Sequence, residues 1–423
     1  DGVEETIGES ALLNKKGGAV AFYGTTRTVY ANVNKYINTA FMKHVLTIED
    51  GKAITLGEAQ RRAKNEMIET GNDRSQNKLQ YSLLGDPALR LNLPTEKVVI
   101  DKINGLELSY DDMPELKAGS IVTVEGHVEV AGVIAADYIG KMTATVRDTR
   151  ELIICRRNDP GEAEEAFTFY DRQKVLFNGS DSVRAGKFKF TFAVPRDINY
   201  ANGTGLINVY AVNSDHSLLA HGIEDRFLIN GSEELTNDFI GPSIYCYLNS
   251  PSFVNGGNVN TTPYFVANIT DKDGINATGS GIGHDLELII DGDMEKTYNL
   301  NSNFMFDFGS YTSGSTYYNI PALTPGAHTL KFRAWDILNN SSTATLNFNV
   351  VQGLRPTLVD VNCSQNPAKT QTTFIVTHDF VNSDVDVEIS IFDMGGRELW
   401  RHSESGVSTG EAYTVDWDLT IDG

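Results

Sequence analysis

Ala19-Val20-Ala21-Phe22-Tyr23-Gly24 is an unbroken apolar run that ends on glycine, the pattern of a strand buried on both faces of a sheet. Its neighbours are helical. Upstream, Glu4 to Leu13 reads as a short helix. Downstream, Val33, Tyr36, Ile37, Ala40, Phe41, Val45 and Ile48 recur at three- and four-residue spacing, which predicts an amphipathic helix. Thr55-Leu56-Gly57-Glu58 has the form of a capping box, and Leu56, Ala59, Ala63 and Met67 continue as the apolar stripe of another helix that Gly71-Asn72-Asp73 ends. Helix, strand, helix, helix is the tail of an α/β domain. One strand makes no sheet, so this reading expects a partner strand upstream of residue 1 or on another chain.

After Pro94 the period drops to 2. Ser120 to Gly126, Lys141 to Val146 and Lys187 to Phe192 alternate, and Leu206 to Val212 is a further strand. Short strands with Gly, Asp and Asn turns predict a β-sandwich over 98–235. Ser232 to Asn237 reads as a polar linker. A second sandwich is expected over 238–352, with strands at Tyr264–Ile269, Leu286–Ile290, His328–Ala334 and Thr343–Val350. The segment 353–423 alternates again through Val385, Val387, Ile389 and Ile391. It turns at Asp393-Met394-Gly395-Gly396-Arg397 and reads as an incomplete β domain. At 423 residues the chain is too long for one core, which fits several domains.

Charge narrows the function classes. The formal net charge is −21, from 56 acidic and 35 basic residues. Such a surface repels nucleic acid and anionic headgroups, so no nucleic-acid partner is expected. No stretch of about 20 apolar residues occurs, so no transmembrane helix is expected. Cys155, Cys246 and Cys363 lie far apart without C-x-x-C spacing, which argues against zinc and for buried free thiols. None of the eight histidines forms an H-x-x-x-H pair. Of the tryptophans, Trp335 reads as core, and Trp400 and Trp417 read as core or as a surface platform.

Asp271-Lys272-Asp273-Gly274-Ile275-Asn276 resembles the start of an oxygen-rich calcium loop. Asp271, Asp273 and Asn276 are the candidate ligands of a structural calcium, with Asp285 or Asp336 able to add one from elsewhere. Ile282 stands where an EF-hand loop carries its bidentate glutamate, and a plain Asx-rich turn is the simpler reading. No other cofactor is expected.

Three stretches carry a family resemblance. Thr6-Ile7-Gly8-Glu9-Ser10-Ala11-Leu12-Leu13-Asn14 with Lys16-Gly17-Gly18-Ala19-Val20-Ala21, then Gly24-Thr25-Thr26-Arg27-Thr28-Val29-Tyr30, then Leu84-Gly85-Asp86-Pro87-Ala88-Leu89-Arg90-Leu91 resemble, in that order, the end of the gingipain cysteine-peptidase domain. That domain is a caspase-like α/β fold, here assigned to residues 1–97. Two later stretches, Ile269 to Asp285 and Leu330 to Ser342, are similar to the β region of the sortase branch of that family in the type IX secretion system. Asn366-Pro367-Ala368 and Phe392 to Arg397 resemble its sorting-type terminal domain. The resemblance implies a caspase-like part, two immunoglobulin-like β-sandwiches and a truncated sorting-type domain. It also implies an enzyme at the extracellular face of the outer membrane. That enzyme removes C-terminal sorting domains from exported proteins, attaches the cargo to anionic lipopolysaccharide through a cysteine thioester, and docks with surface attachment-complex proteins. The chemistry requires a thiolate, an imidazole and oxyanion donors. The family's His and Cys motifs match nothing from Asp1 onward, so no catalytic residue is assigned and this segment alone is expected to be inactive. The resemblance does place Thr25, Thr26, Arg27 and Tyr30 at the substrate pocket. The alternative readings are a non-catalytic surface adhesin or glycan-binding β-domain protein, and a secreted gingipain-like protease.

Overall fold

The computed structural model describes residues 6–14, 18–156, 161, 165–234, 236–279, 283–355, 358–381, 383–393, 395–408, 410 and 412–421. Glu4, Glu5, Lys16, Gly17, Ser280 to Ile282 and Met394 from the motifs above lie outside the described residues. The chain divides into two compact units, 1–97 with 215–220, and 98–214 with 221–423.

The first unit begins with helix α1 (Ile7–Leu13). Thr6 caps it through a reciprocal capping box with Glu9. Strand β1 (Ala21–Thr25) follows, then α2 (Ala31–Val45), α3 (Leu56–Glu69), the single turn α4 (Asn77–Gln80) and strand β2 (Tyr81–Gly85). β2 pairs antiparallel with β1, Tyr23 opposite Leu83 and Thr25 opposite Tyr81. The expected partner strand therefore comes from within this stretch, as a five-residue segment that the periodicity did not separate from the motif after it. β1 is half-buried rather than covered on both faces. Ala21 and Tyr23 meet α2 and α3 on one side, with Ile37, Ala40, Ala63 and Met67 at the centre of that core. On the other side, among the described residues, lies the short α1, where Gly8 leaves room for the Phe22 ring. At α3 half of the capping box forms. Thr55 Oγ1 accepts the Glu58 N–H, but the Glu58 carboxylate turns to Arg61 and Arg62, both at 2.7 Å.

In the second unit the expectation of a sandwich over 98–235 is corrected. Seven strands, β3 (Glu96–Ile103), β4 (Ile121–Val130), β5 (Gly140–Arg147), β6 (Val175–Arg184), β7 (Lys187–Ala193), β8 (Leu206–Asn213) and β9 (Leu219–Glu224), run β3-β9-β8-β5-β6-β7-β4, and β4 pairs back to β3. The sheet closes on itself as a barrel. Alternation points one row inward: Val122 and Val124, Met142 and Ala144, Phe190 and Phe192, Ile207 and Val209 are all fully or nearly fully buried. Phe177 lies between Phe190 and Phe192, with centroids at 5.9 and 5.6 Å, and Gly179 leaves space for its ring.

Residues 243–350 form two facing sheets. One holds β10 (Ser243–Leu248), β11 (Tyr264–Thr270) and β13 (Ser313–Asn319). The other is built on β12 (Glu287–Ile290), β14 (Gly326–Asp336) and β15 (Ser341–Val350). Phe265 and Phe332 meet across the gap at 5.2 Å. The β12 turn runs through Asp291 (φ 56°) and Gly292 (φ 68°), the left-handed pair that a tight turn demands. Barrel and sandwich are fastened together. Ala193 packs on Ile337 and Leu338, Phe177 stacks on Phe306 at 5.0 Å, and Asp197 accepts hydrogen bonds from Asn276 Nδ2 (2.8 Å) and Asn339 Nδ2 (3.1 Å). Trp335 is half-buried at this junction rather than in a core, its ring 4.4 Å from His284.

Five strands close the described chain: β16 (Leu358–Cys363), β17 (Thr372–His378) and β20 (Ala412–Trp417) in one sheet, β18 (Asp384–Phe392) and β19 (Glu398–Val407) in another. Trp400 and Trp417 stack with Phe374 and are half-buried. No described helix is long and apolar enough to cross a membrane.

Candidate functional site

A cleft of about 680 Å³ opens in the first unit, between α1, the end of β1 and the start of β2. Its floor is aromatic. Tyr23 stacks on Phe41 at 4.0 Å and tilts on Tyr81 at 5.3 Å. The Tyr23 hydroxyl is buried without a hydrogen-bond partner, and burial pushes its pKa up from the ordinary tyrosine value. Thr6, Glu9, Asn34 and Asn38 supply the polar rim.

Of the four sequence-predicted pocket residues, Thr25 and Thr26 line this cleft, and Arg27 and Tyr30 do not. Tyr30 is 68 % exposed. Its place at the head of α2 turns its side chain outward and leaves only its backbone tied down. The loop is held from below by residues that no motif marked. Buried Asn77 accepts the Tyr30 N–H on Oδ1 (2.7 Å) and donates Nδ2 to Asn34 Oδ1 (3.0 Å). Thr26 donates its N–H to the Gln80 carbonyl (2.9 Å). Asp73 in turn fixes the turn before α4, accepting from Ser75 N (2.9 Å) and Lys78 N (2.7 Å). Burial alone would raise its pKa, and these bonds hold it below the usual carboxylate value.

The described residues lining the cleft include no thiol and no imidazole. Hydroxyls, carboxamides and rings can bind and orient an extended peptide, but they cannot supply a nucleophile of the expected kind. The free thiols lie elsewhere in the chain. Cys246 is half-buried, with burial pushing its pKa up to about 11, and Cys155 is half-buried. Cys363 is exposed, which corrects the expectation of three buried thiols.

The candidate cation site is rearranged. Asp273 keeps its place, but Asn276 is fully buried and turned to Asp197 and Thr278. The carboxylates that converge are Asp238, Asp273 and Asp336, with ligand atoms all within 4.8 Å of one another. The sequence offers Asp336 as an outside contributor, and nothing in the sequence pattern singles out Asp238. Asp336 is fully buried and accepts N–H groups from Leu338 (2.9 Å) and Asn340 (2.7 Å). Lys272 Nζ lies 3.1 Å from Asp238 and 3.2 Å from Asp273. Asp271 stands alongside, its pKa pushed up to about 6 by burial and then by the charges of Asp336 and Asp273. An all-oxygen donor set of this kind suits a hard cation such as calcium, and the Lys272 ammonium neutralises part of the same charge.

The family model for peptidase family C25 matches residues 1–92. Dimeric latent PorU from Porphyromonas gingivalis is 34 % identical to the chain, over 95 % of the chain and 38 % of that structure, with a TM-score of 0.42. The chain thus spans well under half the length of that structure, and the relationship rests on the sequence identity rather than on the superposition. Red sea bream transglutaminase (9 % identical, 69 % of this chain and 34 % of that one, TM-score 0.17) and Spo0M from Bacillus subtilis (12 %, 60 % and 90 %, TM-score 0.20) carry no argument. No curated protein matches the chain.

Proposed function

We propose that this chain, whose residues 1–92 belong to peptidase family C25, the gingipain family, is the non-catalytic portion of a cell-surface sortase-type cysteine peptidase. Its 34 % identity to PorU along nearly its whole length is the observation that carries the reading. In this reading the protein removes C-terminal sorting domains from type IX secretion cargo and transfers the cargo to anionic lipopolysaccharide at the outer face of the outer membrane. Residues 1–97 complete a caspase-like peptidase domain. The barrel, an immunoglobulin-like sandwich and a sorting-type terminal domain then orient the peptidase and meet attachment-complex proteins.

The cleft walled by Thr25 and Thr26 is the substrate-side part of the site, with the rings of Tyr23 and Tyr81 beneath it. Backbone and hydroxyl groups there position an extended peptide. The thiolate that attacks it and the imidazole that carries the proton come from residues outside this sequence. The division of labour is tested directly. The purified chain should show no peptide turnover and no stoichiometric labelling by a peptidyl thiol-directed inhibitor. In the full-length protein, Thr25→Val with Thr26→Val should raise KM several-fold and change kcat less. Turnover by the chain alone would overturn the assignment, and so would an unchanged KM in the double variant.

A further inference from the structure

The sandwich of residues 243–350 presents two outward faces of opposite character. The β12 and β14 side carries charges: Arg333 Nη2 lies 3.0 Å from Glu287 Oε2 in a half-buried pair, and Lys331 is exposed beside them. The face of β10, β11 and β13 carries no Asp, Glu, Lys or Arg at any outward position of those three strands. It carries Tyr245, Tyr247, Tyr264 and Tyr317, with Asn268 and Asn319 between and beside them. The register puts Tyr247 and Tyr317 on either side of Val266, two strand spacings apart, about 9.5 Å. Tyr264 stands one row along that face, and Tyr245 sits opposite Asn268 one row the other way. The rings form two neighbouring pairs, Tyr245 with Tyr247 at 5.8 Å and Tyr264 with Tyr317 at 5.9 Å. Tyr245 is 54 % exposed and Tyr317 is 45 % exposed, while Tyr247 and Tyr264 are half-buried beside them.

We propose that this face binds a neutral glycan chain. In a protein of net charge −21, a broad uncharged face excludes ligands held by ion pairs and matches one that carries no charge itself. Phenol rings offer flat apolar surface with a polar tip, at little cost in side-chain entropy. Sugar rings present apolar C–H faces to such rings and hydroxyls to the carboxamides of Asn268 and Asn319. An anionic polymer finds no cation on these three strands, and Lys272 at their end is paired to Asp238 and Asp273. A protein partner would seek a dry apolar centre, whereas the outward aliphatic residue at the middle is Val266, half-buried between tyrosines, and the exposed Met305 lies at the sheet's edge beside Ser315. The face is flat rather than concave, so it suits an extended chain touching several rings rather than one small molecule.

The experiment uses the whole chain and four soluble neutral polysaccharides, dextran, mannan, laminarin and soluble starch, in affinity electrophoresis at low and high salt. At least one should retard the protein, equally at both salt levels. Tyr245→Ala with Tyr317→Ala should weaken that retardation about tenfold or more, and the paired Phe variants should keep most of it because the rings remain. Matched melting temperatures would show that the Ala variant is folded. The proposal is overturned if none of the four binds, or if the double Ala variant binds as well as the parent. It is equally overturned if retardation vanishes at high salt, or if the double variant changes only self-association.

Discussion

Asn77 shows how much one buried carboxamide can organise. It joins the head of α2 to the stretch before β2 through Tyr30 N–H and Asn34, so the Thr25 to Tyr30 loop depends on a residue 47 positions away from Tyr30. Asn77→Ala removes the acceptor of the partly buried Tyr30 N–H. It should cost about 1–3 kcal/mol in urea unfolding and, in the full-length protein, raise KM more than a surface Asn→Ala control. Asp271 is a second single-residue lever, with the opposite sign from an ordinary paired carboxylate. Its folded pKa of about 6 lies above the unfolded value of about 3.9. The folded state therefore holds its proton longer, and stability falls as pH rises from about 4 through 6. Asp271→Asn keeps the oxygen that accepts the Asp273 N–H and removes the charge. The variant should melt higher than the parent at pH 7.5 and the same at pH 4; equal melting at both would show that the like charges do not matter. Neither residue stood out in the sequence for these reasons. Asn77 has no periodic or motif signature, and the burial and the Asp336 charge that act on Asp271 come from folding, with only Asp273 near it in sequence.

At the scale of elements, alternation told which residues face inward and left open which strands are neighbours. The period-2 rows of Val122 and Val124 or Phe190 and Phe192 were legible because burial on one side of a strand writes itself every second residue. Closure of β4 onto β3 was not, because a sandwich and a barrel ask for the same alternation. β2 was missed for a related reason: five residues hold too few periods, and its apolar run merges with the Leu84 to Leu91 motif. Glu58 shows the limit of a local motif, since two nearby arginines outbid the backbone for its carboxylate. Barrel packing supplies its own test. A Cβ at Gly179 would lie 2.3 Å from Phe177 Cζ, and Phe177 is held by Phe190, Phe192 and Phe306 and has nowhere to move. Gly179→Ala should lose about 1–3 kcal/mol to overpacking. Gly132→Ala, with open space around it but a positive φ, separates overpacking from backbone strain: a larger loss there than at Gly179 would count against the ring stack.

For the molecule as a whole, the acidic convergence of Asp238, Asp273 and Asp336 ties the entry of the sandwich to the turn after β11 and to the end of β14. If calcium fills it, millimolar calcium should raise the melting temperature of the chain, magnesium should do so less, and Asp273→Asn should abolish the difference. No shift in the parent would remove calcium from the account. The composition announced the strong negative charge, but only folding could gather these three positions from across nearly 100 residues. The three thiols have a practical consequence for enzymology on this chain. Half-buried Cys246 resists deprotonation, and Cys363 on β16 lies open to any electrophile. Iodoacetamide or a maleimide will therefore mark the terminal sheet, far along the chain from the cleft beside β1, and such a mark imitates the signature of a live cysteine protease. A Cys363→Ser background strips away that false signal, so that whatever adduct survives reports on peptide-directed chemistry.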